Sequence, residues 1–124
     1  MAANKIIRFG PAYLSNSVAN ILNCNVTSLA GPVGFTMTQP YLILRHLRLV
    51  NKTGSAVTAT LYVGATGASA GGTEVITGPA TSIAGLGYLE WYGWMRLDVA
   101  DFLTGVAGSA SAIVIQGEAE IGLI

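Results

Sequence analysis

Short alternating segments separated by glycine-rich turns are the feature that most restricts how this chain can fold. Between Val57 and Val63 every second residue is apolar, and Thr58, Thr60 and Tyr62 lie between them. Such alternation is typical of a β-strand with one face on a core and the other outside. We expect the inward set to be Val57, Ala59, Leu61 and Val63. Sixteen glycines and repeated β-branched segments predict short strands joined by turns.

The preceding segment, 41–51, is predicted to be a strand whose phase changes in its middle. It contains two pairs of leucines that fall on opposite faces of a regular strand: Leu42 and Leu44, then Leu47 and Leu49. A β-bulge near Arg45 and His46 would turn all four leucines inward. The segment 51–54 that follows is predicted to be a hairpin turn.

The segment 86–99 alternates between an apolar set and a mixed set of side chains. The apolar set, predicted to face the core, is Leu89, Trp91, Met95, Leu97 and Val99, with Gly93 between them. The other set, predicted to face outward, is Tyr88, Glu90, Tyr92, Trp94, Arg96 and Asp98. A competing interpretation buries both sets within the domain.

The remaining segments complete the expectation for the fold. The last strand, 112–123, should face Ile113, Ile115, Ala119, Ile121 and Leu123 inward. Residues 98–105 are predicted to form one helical turn, with Asp98 as N-cap. Residues 1–40 show weak periodicity and are assigned to the first strand or strands plus an extended N-terminal arm of the same domain. We therefore predict one all-β domain, an antiparallel β-sandwich or jelly roll, with residues 41–124 as its body.

The composition is unusually poor in charge. Charged residues make up 10% of the 124-residue chain, against about 25% in an average soluble domain. The formal net charge is zero and 52% of residues are hydrophobic, but no apolar segment approaches the roughly 20 residues of a membrane helix. A surface with so little charge is poorly protected from association, which favours a protein whose surface is covered by partners.

Residues suited to catalysis or metal binding are few. The single histidine, His46, is predicted to be a surface residue of a strand, and the single cysteine, Cys24, a small buried thiol. Glu118 and Glu120 share a strand face, but two carboxylates are weak evidence for a metal site. The cluster of Arg45, Arg48 and Lys52 is small in a neutral chain, so we expect no direct nucleic-acid binding. No enzyme activity, cofactor, metal site or membrane insertion is predicted.

The outward set of 86–99 is the strongest positive signal for function. Tyrosine, tryptophan and arginine are enriched at protein interfaces and among their energetic hot spots. We predict a partner interface formed by Tyr88, Tyr92, Trp94 and Arg96, to which the N-terminal arm adds Ile6, Arg8 and Tyr13. Stacking of the aromatic rings on a sugar, as in carbohydrate-binding modules, is the alternative.

The order of segments resembles the small virion proteins of tailed bacteriophages, most of all capsid decoration (cement) proteins. The resemblance covers about residues 42–123 and is one of style and order, without a diagnostic motif. It consists of the strand Leu47 to Val50, the turn Asn51 to Gly54, the threonine-rich strand Val57 to Gly64 and the aromatic segment Trp91 to Leu103.

The resemblance implies a β-sandwich or jelly roll that binds the outside of a capsid shell. Its partner would be the major capsid protein or another virion subunit, and it would form a dimer or trimer. It would be made in the host cytoplasm and reside on the capsid surface. Another virion position, in the tail, collar or fibre base, is the nearest alternative.

Overall fold

The computed structural model describes residues 5–23, 40–64, 73–74, 81–98 and 101–123. These residues form β-strands and their connections, with no helix among them. The strands are β1 (Lys5–Tyr13), β2 (Ala19–Asn23), β3 (Pro40–Asn51), β4 (Val57–Gly64), β5 (Thr73–Glu74), β6 (Thr81–Ile83), β7 (Tyr88–Leu97), β8 (Phe102–Ala107) and β9 (Ile113–Leu123). The all-β prediction is confirmed.

The strands form two antiparallel sheets, as expected of a β-sandwich. Sheet A has four strands in the order β1-β9-β3-β7. Sheet B has the order β2-β8-β4-β5, and β6 also pairs with β4. Consecutive strands thus pass from one sheet to the other several times, and the first and last strands of the chain pair side by side.

A single apolar cluster fills the space between the sheets. Its fully buried members come from both sheets and include Leu42, Leu44, Leu47, Leu49, Leu61, Leu97, Leu103, Ile113 and Ile115. The predicted inward residues Leu61, Leu97 and Ile115 are all 0% exposed, whereas Trp91 packs against the cluster and is partly buried. The predicted registers of β4, β7 and β9 are therefore confirmed for these residues.

The predicted bulge in β3 is confirmed. The register of β3 shifts between Leu44 and His46 against both of its neighbours, β7 and β9. All four leucines of the strand are buried as a result, while the consecutive residues Arg45 and His46 both point outward and are half-exposed. One irregularity thus preserves the core face of a twelve-residue strand.

The helical turn predicted for residues 98–105 is wrong. Two hydrogen bonds join Asp98 and Asp101: the amide of Asp101 donates to the carbonyl of Asp98, and the amide of Asp98 donates to the carboxylate of Asp101. The chain then enters β8, which pairs with both β2 and β4. Gly105, predicted to end a helix, lies inside β8, where a Cβ atom would come within 2.6 Å of Leu61.

The hairpin turn predicted for residues 51–54 is also wrong, because this segment joins strands of different sheets. Asn51 is buried, and its amide group donates to the carbonyls of Ser55 and Ile83 at 2.8 and 3.0 Å. Its side-chain oxygen accepts from the amide and hydroxyl of Thr53. These bonds hold the crossing between the sheets.

The structure differs from the expectations for the outward side of β4 and for the N-terminal segment. Thr60 lies on the outward side of β4, as predicted, but it is buried, and so is Thr104 on the adjacent strand β8. The expected N-terminal arm has no counterpart in residues 5–23, whose strands β1 and β2 belong to the two sheets. Residues 1–4 and 24–39, which include Cys24, lie outside the described residues, as does Val99.

Candidate functional site

The residues predicted to form an interface all lie on the outward face of sheet A. Tyr88, Tyr92 and Trp94 on β7 are 60%, 71% and 66% exposed. At the opposite edge of the same sheet, Ile6 and Tyr13 on β1 are 70% and 50% exposed. Arg8 and Arg96 are exposed as well. The interpretation that buries both sets of β7 side chains is wrong for this chain by itself.

Strand order sets the size of this outer face. Strands β1 and β7 are the two edges of sheet A, and β9 and β3 lie between them. Three inter-strand spacings of about 4.8 Å separate the edges by roughly 14 Å. The sequence placed these residues in two unrelated segments, an arm and an aromatic strand, whereas the structure joins them across β9 and β3 into one surface.

Arginine side chains stack on the aromatic rings of the outer face. The distances from guanidinium carbon to ring centroid are 4.0 Å for Arg45 and Trp94, 4.5 Å for Arg48 and Tyr88, and 4.4 Å for Arg96 and Tyr41. The ring of His46 stacks on Tyr92 with centroids 4.6 Å apart. Distances of this size allow cation–π attraction, which restrains both partners of each pair.

Carboxylates on the same face pair with these arginines and contact His46. Glu90 lies 2.8 Å from the Nε2 atom of His46 and 3.2 Å from Arg48. Glu120 pairs with Arg45 at 2.6 Å, Glu118 lies 3.3 Å from the other ring nitrogen of His46, and Asp98 pairs with Arg96 at 2.7 Å. Two of the three basic residues that cluster in the sequence, Arg45 and Arg48 of β3, are therefore balanced by Glu120 of β9 and Glu90 of β7.

The polar network changes the acidity of two of its members. Hydrogen bonds from His46 and Tyr92, with the charge of Arg48, hold the pKa of Glu90 below its ordinary value of 4.5, although partial burial acts in the opposite direction. The pKa of Tyr92 is raised above 10.0, mainly because its hydroxyl donates to the Glu90 carboxylate at 2.9 Å. Each group therefore stabilises the protonation state that its partner requires.

Charge is distributed very unequally between the two sheets. Each strand of sheet A contains two charged residues, which together account for eight of the chain's twelve. In sheet B, β5 contains Glu74 and the other four strands contain no charged residue. The sandwich thus has one face rich in charges and aromatic rings, and one almost without charge.

The outer face of sheet A is suited to recognition of a surface. It contains an open groove over β9, lined by Arg8, His46, Gln116, Gly117 and Glu118. No group of three potential metal ligands occurs in the described part of the chain, and no helix there is long and apolar enough to cross a membrane. What the face offers is aromatic area, paired charge and a regular backbone.

Four residues of β3 were not predicted to contribute to this face. Tyr41, Arg45, His46 and Arg48 supply the stacking partners, and Glu90, which was predicted to face outward, connects three of the surrounding side chains. Their outward position on β3 and β7 was readable from the alternation. The pairings were not, because they depend on which strands become neighbours in the sheet.

No family model matches the chain, and no curated protein is similar to it in sequence. Its function is therefore inferred from the residues of this face and from the order of the strands.

Proposed function

We propose that this chain is a structural, non-catalytic subunit that binds another protein through the outer face of sheet A. The observation behind the proposal is that Tyr88, Tyr92 and Trp94 stand on one strand, more than half exposed, with Tyr88 and Trp94 each stacked on an arginine and Tyr92 on the ring of His46. Large aromatic patches of this kind are rare on free monomers and are typical of interaction sites.

Pre-organisation makes this surface favourable for binding. A side chain that is already held by a neighbour loses less conformational freedom when a partner covers it, so more of the contact energy remains as affinity. Trp94 is restrained by Arg45, which is itself held by Glu120. The ion pairs also supply partners for the charges that a protein interface would remove from water.

We also propose that the sandwich is a jelly roll. Strands β5 and β6 both pair with β4 and can be counted as one strand. When the resulting eight strands are renumbered along the chain, sheet A has the order 1-8-3-6 and sheet B the order 2-7-4-5. Two interlocked Greek keys produce this order, and that arrangement recurs in viral capsid domains and lectins. This likeness of fold supports a role as a capsid component, but a fold alone does not specify a function.

The role we propose is that of a bacteriophage capsid component, of the decoration or cement type. The support comes from the resemblance in segment order, the low charge of the chain and the aromatic face. The partner would be the major capsid protein or another virion subunit, with the chain acting as a dimer or trimer on the capsid surface. A lattice of repeated weak contacts would hold such a subunit firmly. A position in the tail, collar or fibre base would use the same face.

The substitution W94A tests the protein-binding face. Trp94 is 66% exposed and stacks on Arg45 rather than on the core, so its loss should leave the fold intact. We expect binding to weaken by about 2 kcal/mol or more for each contact. The measurement is the occupancy of reconstituted particles, read together with the melting temperature of the isolated protein.

The matched control is L86A, since Leu86 is 76% exposed but lies in the turn before β7. Occupancy that W94A lowers and L86A does not would support the face. Equal occupancy for W94A and wild type would remove Trp94 as an anchor, and a parallel loss of stability would show that Trp94 stabilises the fold instead.

Carbohydrate binding is the second candidate, and the open aromatic platform of Tyr88, Tyr92 and Trp94 is the observation that favours it. Each ring has one face on a side chain of β3, and sugar rings commonly stack on exposed aromatic faces. Binding to an immobilised glycan that W94A abolishes, with unchanged occupancy of particles, would favour this function over protein binding.

A further inference from the structure

Strand β7 is one of the two edges of sheet A. It is the last strand of sheet A, and in the part of the chain that the structure describes it pairs with β3 alone. Its core-facing residues Leu89, Trp91 and Met95 are only partly buried, whereas Leu47 and Leu49 on β3 beside them are 0% exposed. The apolar layer of the sandwich is thus incompletely covered along β7.

The two edges of sheet A differ in how they resist pairing with another strand. The β1 edge contains Gly10 and Pro11, where a register shift interrupts the strand and proline lacks an amide donor. Strand β7 has ten residues, no proline and no lysine, and its side chains keep alternating between the faces although its register against β3 shifts between Tyr92 and Met95. A long edge without proline or lysine is a template for one more strand.

The sequence of β7 is complementary to itself when it is reversed about Gly93. An antiparallel copy centred there would place each residue opposite a suitable partner: Tyr92 opposite Trp94, Trp91 opposite Met95, Glu90 opposite Arg96 and Leu89 opposite Leu97. Each of these pairs occurs twice by symmetry. Aromatic pairs and opposite charges directly across two strands stabilise a sheet, and all the core-facing pairs are apolar.

We propose that a second copy of this chain adds to the free edge of β7, antiparallel and about a two-fold axis at Gly93. The two four-stranded sheets would then continue into one another, as in an isologous dimer. In this register each residue lies opposite a residue from the same face of the strand. Outward side chains therefore stay outward, and the two cores join. The inference does not depend on the proposed function and would stand if the outer face bound nothing else.

Neighbouring registers are less favourable. Moving the axis to Trp94 puts Glu90 opposite Asp98, and like charges across two strands are destabilising. Moving it to Tyr92 separates Glu90 from Arg96 and puts Glu90 opposite Trp94 instead. The axis at Gly93 also brings the two backbones together at a residue without a side chain, with the Trp91 ring of the same chain lying over it.

Charge reversal tests this register on the purified full chain. In R96E the two pairs with Glu90 become repulsive, so we expect self-association to weaken by at least about tenfold. The variant E90R should be weakened likewise, because it opposes Arg96. An equimolar mixture of R96E and E90R restores both attractive pairs and should form mixed dimers. Sedimentation equilibrium of each variant and of the mixture measures this.

The control is K52E, which changes the net charge as R96E does but lies in the turn after β3. It should dimerise like wild type. A monomeric wild type at high protein concentration, a trimer, or a dimer unaffected by R96E would overturn the proposal. So would a mixture that fails to associate although both variants keep the circular dichroism of the folded wild type below their melting temperatures. Because no particle is present, failure of the face proposed to bind another subunit would not affect the result.

Discussion

Glu90 is the residue on which most polar contacts of the outer face converge. It accepts from His46, Tyr92 and Arg48, which come from two different strands. Through these contacts one carboxylate fixes the position of a ring stack and of an arginine that stacks on Tyr88. The positions of Tyr88 and Tyr92 therefore depend on a single acidic residue.

The substitution E90Q should lower the melting temperature at neutral pH, and the difference from wild type should shrink as the pH falls. The pKa of Glu90 is depressed in the folded protein, so its stabilising contribution is present above the ordinary value of 4.5. It is lost as the pH falls through the depressed pKa. Thermal melting of both proteins from neutral to acidic pH measures the gap. A gap that stays constant down to the lowest pH would contradict this account.

The phenol of Tyr92 provides an independent readout of the same contact. In E90Q the pKa of Tyr92 should move back toward 10.0, because the acceptor that stabilises its neutral form is no longer anionic. Phenolate absorbance during alkaline titration reports the change. The control Y92F removes this titration and identifies the signal.

For single residues, the sequence predicted which face of the sheet a side chain points to better than it predicted which residues the side chain contacts. The alternation of β7 correctly placed Tyr92 and Trp94 outside and Leu97 inside. It could not reveal that Asn51, four residues before Ser55, would be buried with four side-chain hydrogen bonds. That role depends on Ile83, which the fold brings to Asn51 from 32 positions away.

At the scale of elements, a local pattern was sufficient wherever it extended through a whole strand. The phase change among the β3 leucines predicted the bulge, because only an extra outward residue leaves all four apolar side chains on the core. The prediction failed at β8, where Asp98 and Gly105 suggested a helical turn. Pairing with β2 and β4 overrode that weak local preference.

Shortening Leu44 and Leu47 to alanine tests the bulge through the free energy of unfolding. In a regular strand Leu44 and Leu47 would face opposite sides, and only one would be costly to shorten. Because both are 0% exposed, L44A and L47A should each cost about 2–5 kcal/mol. Urea denaturation measures the free energy of unfolding.

The matched control is I43A on the same strand, since Ile43 faces outward and is half-exposed. It should cost about 0.5 kcal/mol or less if its neighbours do not pack on it. If L47A proved as mild as I43A, Leu47 would not be a core residue and β3 would have no bulge in solution.

At the scale of the molecule, the two ends of the chain are joined in one sheet. Strand β1 pairs with β9 from Lys5 opposite Ile121 to Tyr13 opposite Val114, and the connection after β1 bonds to both sheets. Weak periodicity in the first residues suggested an arm, because a pairing across the length of the chain leaves no local signal. Such distant contacts also favour slow, cooperative folding.

Hydrogen exchange should show that residues 5–14 belong to the body of the isolated protein. The amide of Leu14 donates to the carbonyl of Ile113 at 2.8 Å, and Leu14 is 2% exposed. We expect it to exchange only with global unfolding, at the rate of the buried residue Leu61, whereas the exposed connection at Asn16 exchanges fast. Self-association at β7 leaves this comparison unchanged, because β1 is the opposite edge of the sheet. Fast exchange of Leu14 in the purified protein, slowed only when a partner subunit is added, would instead make this segment an arm that becomes ordered on assembly.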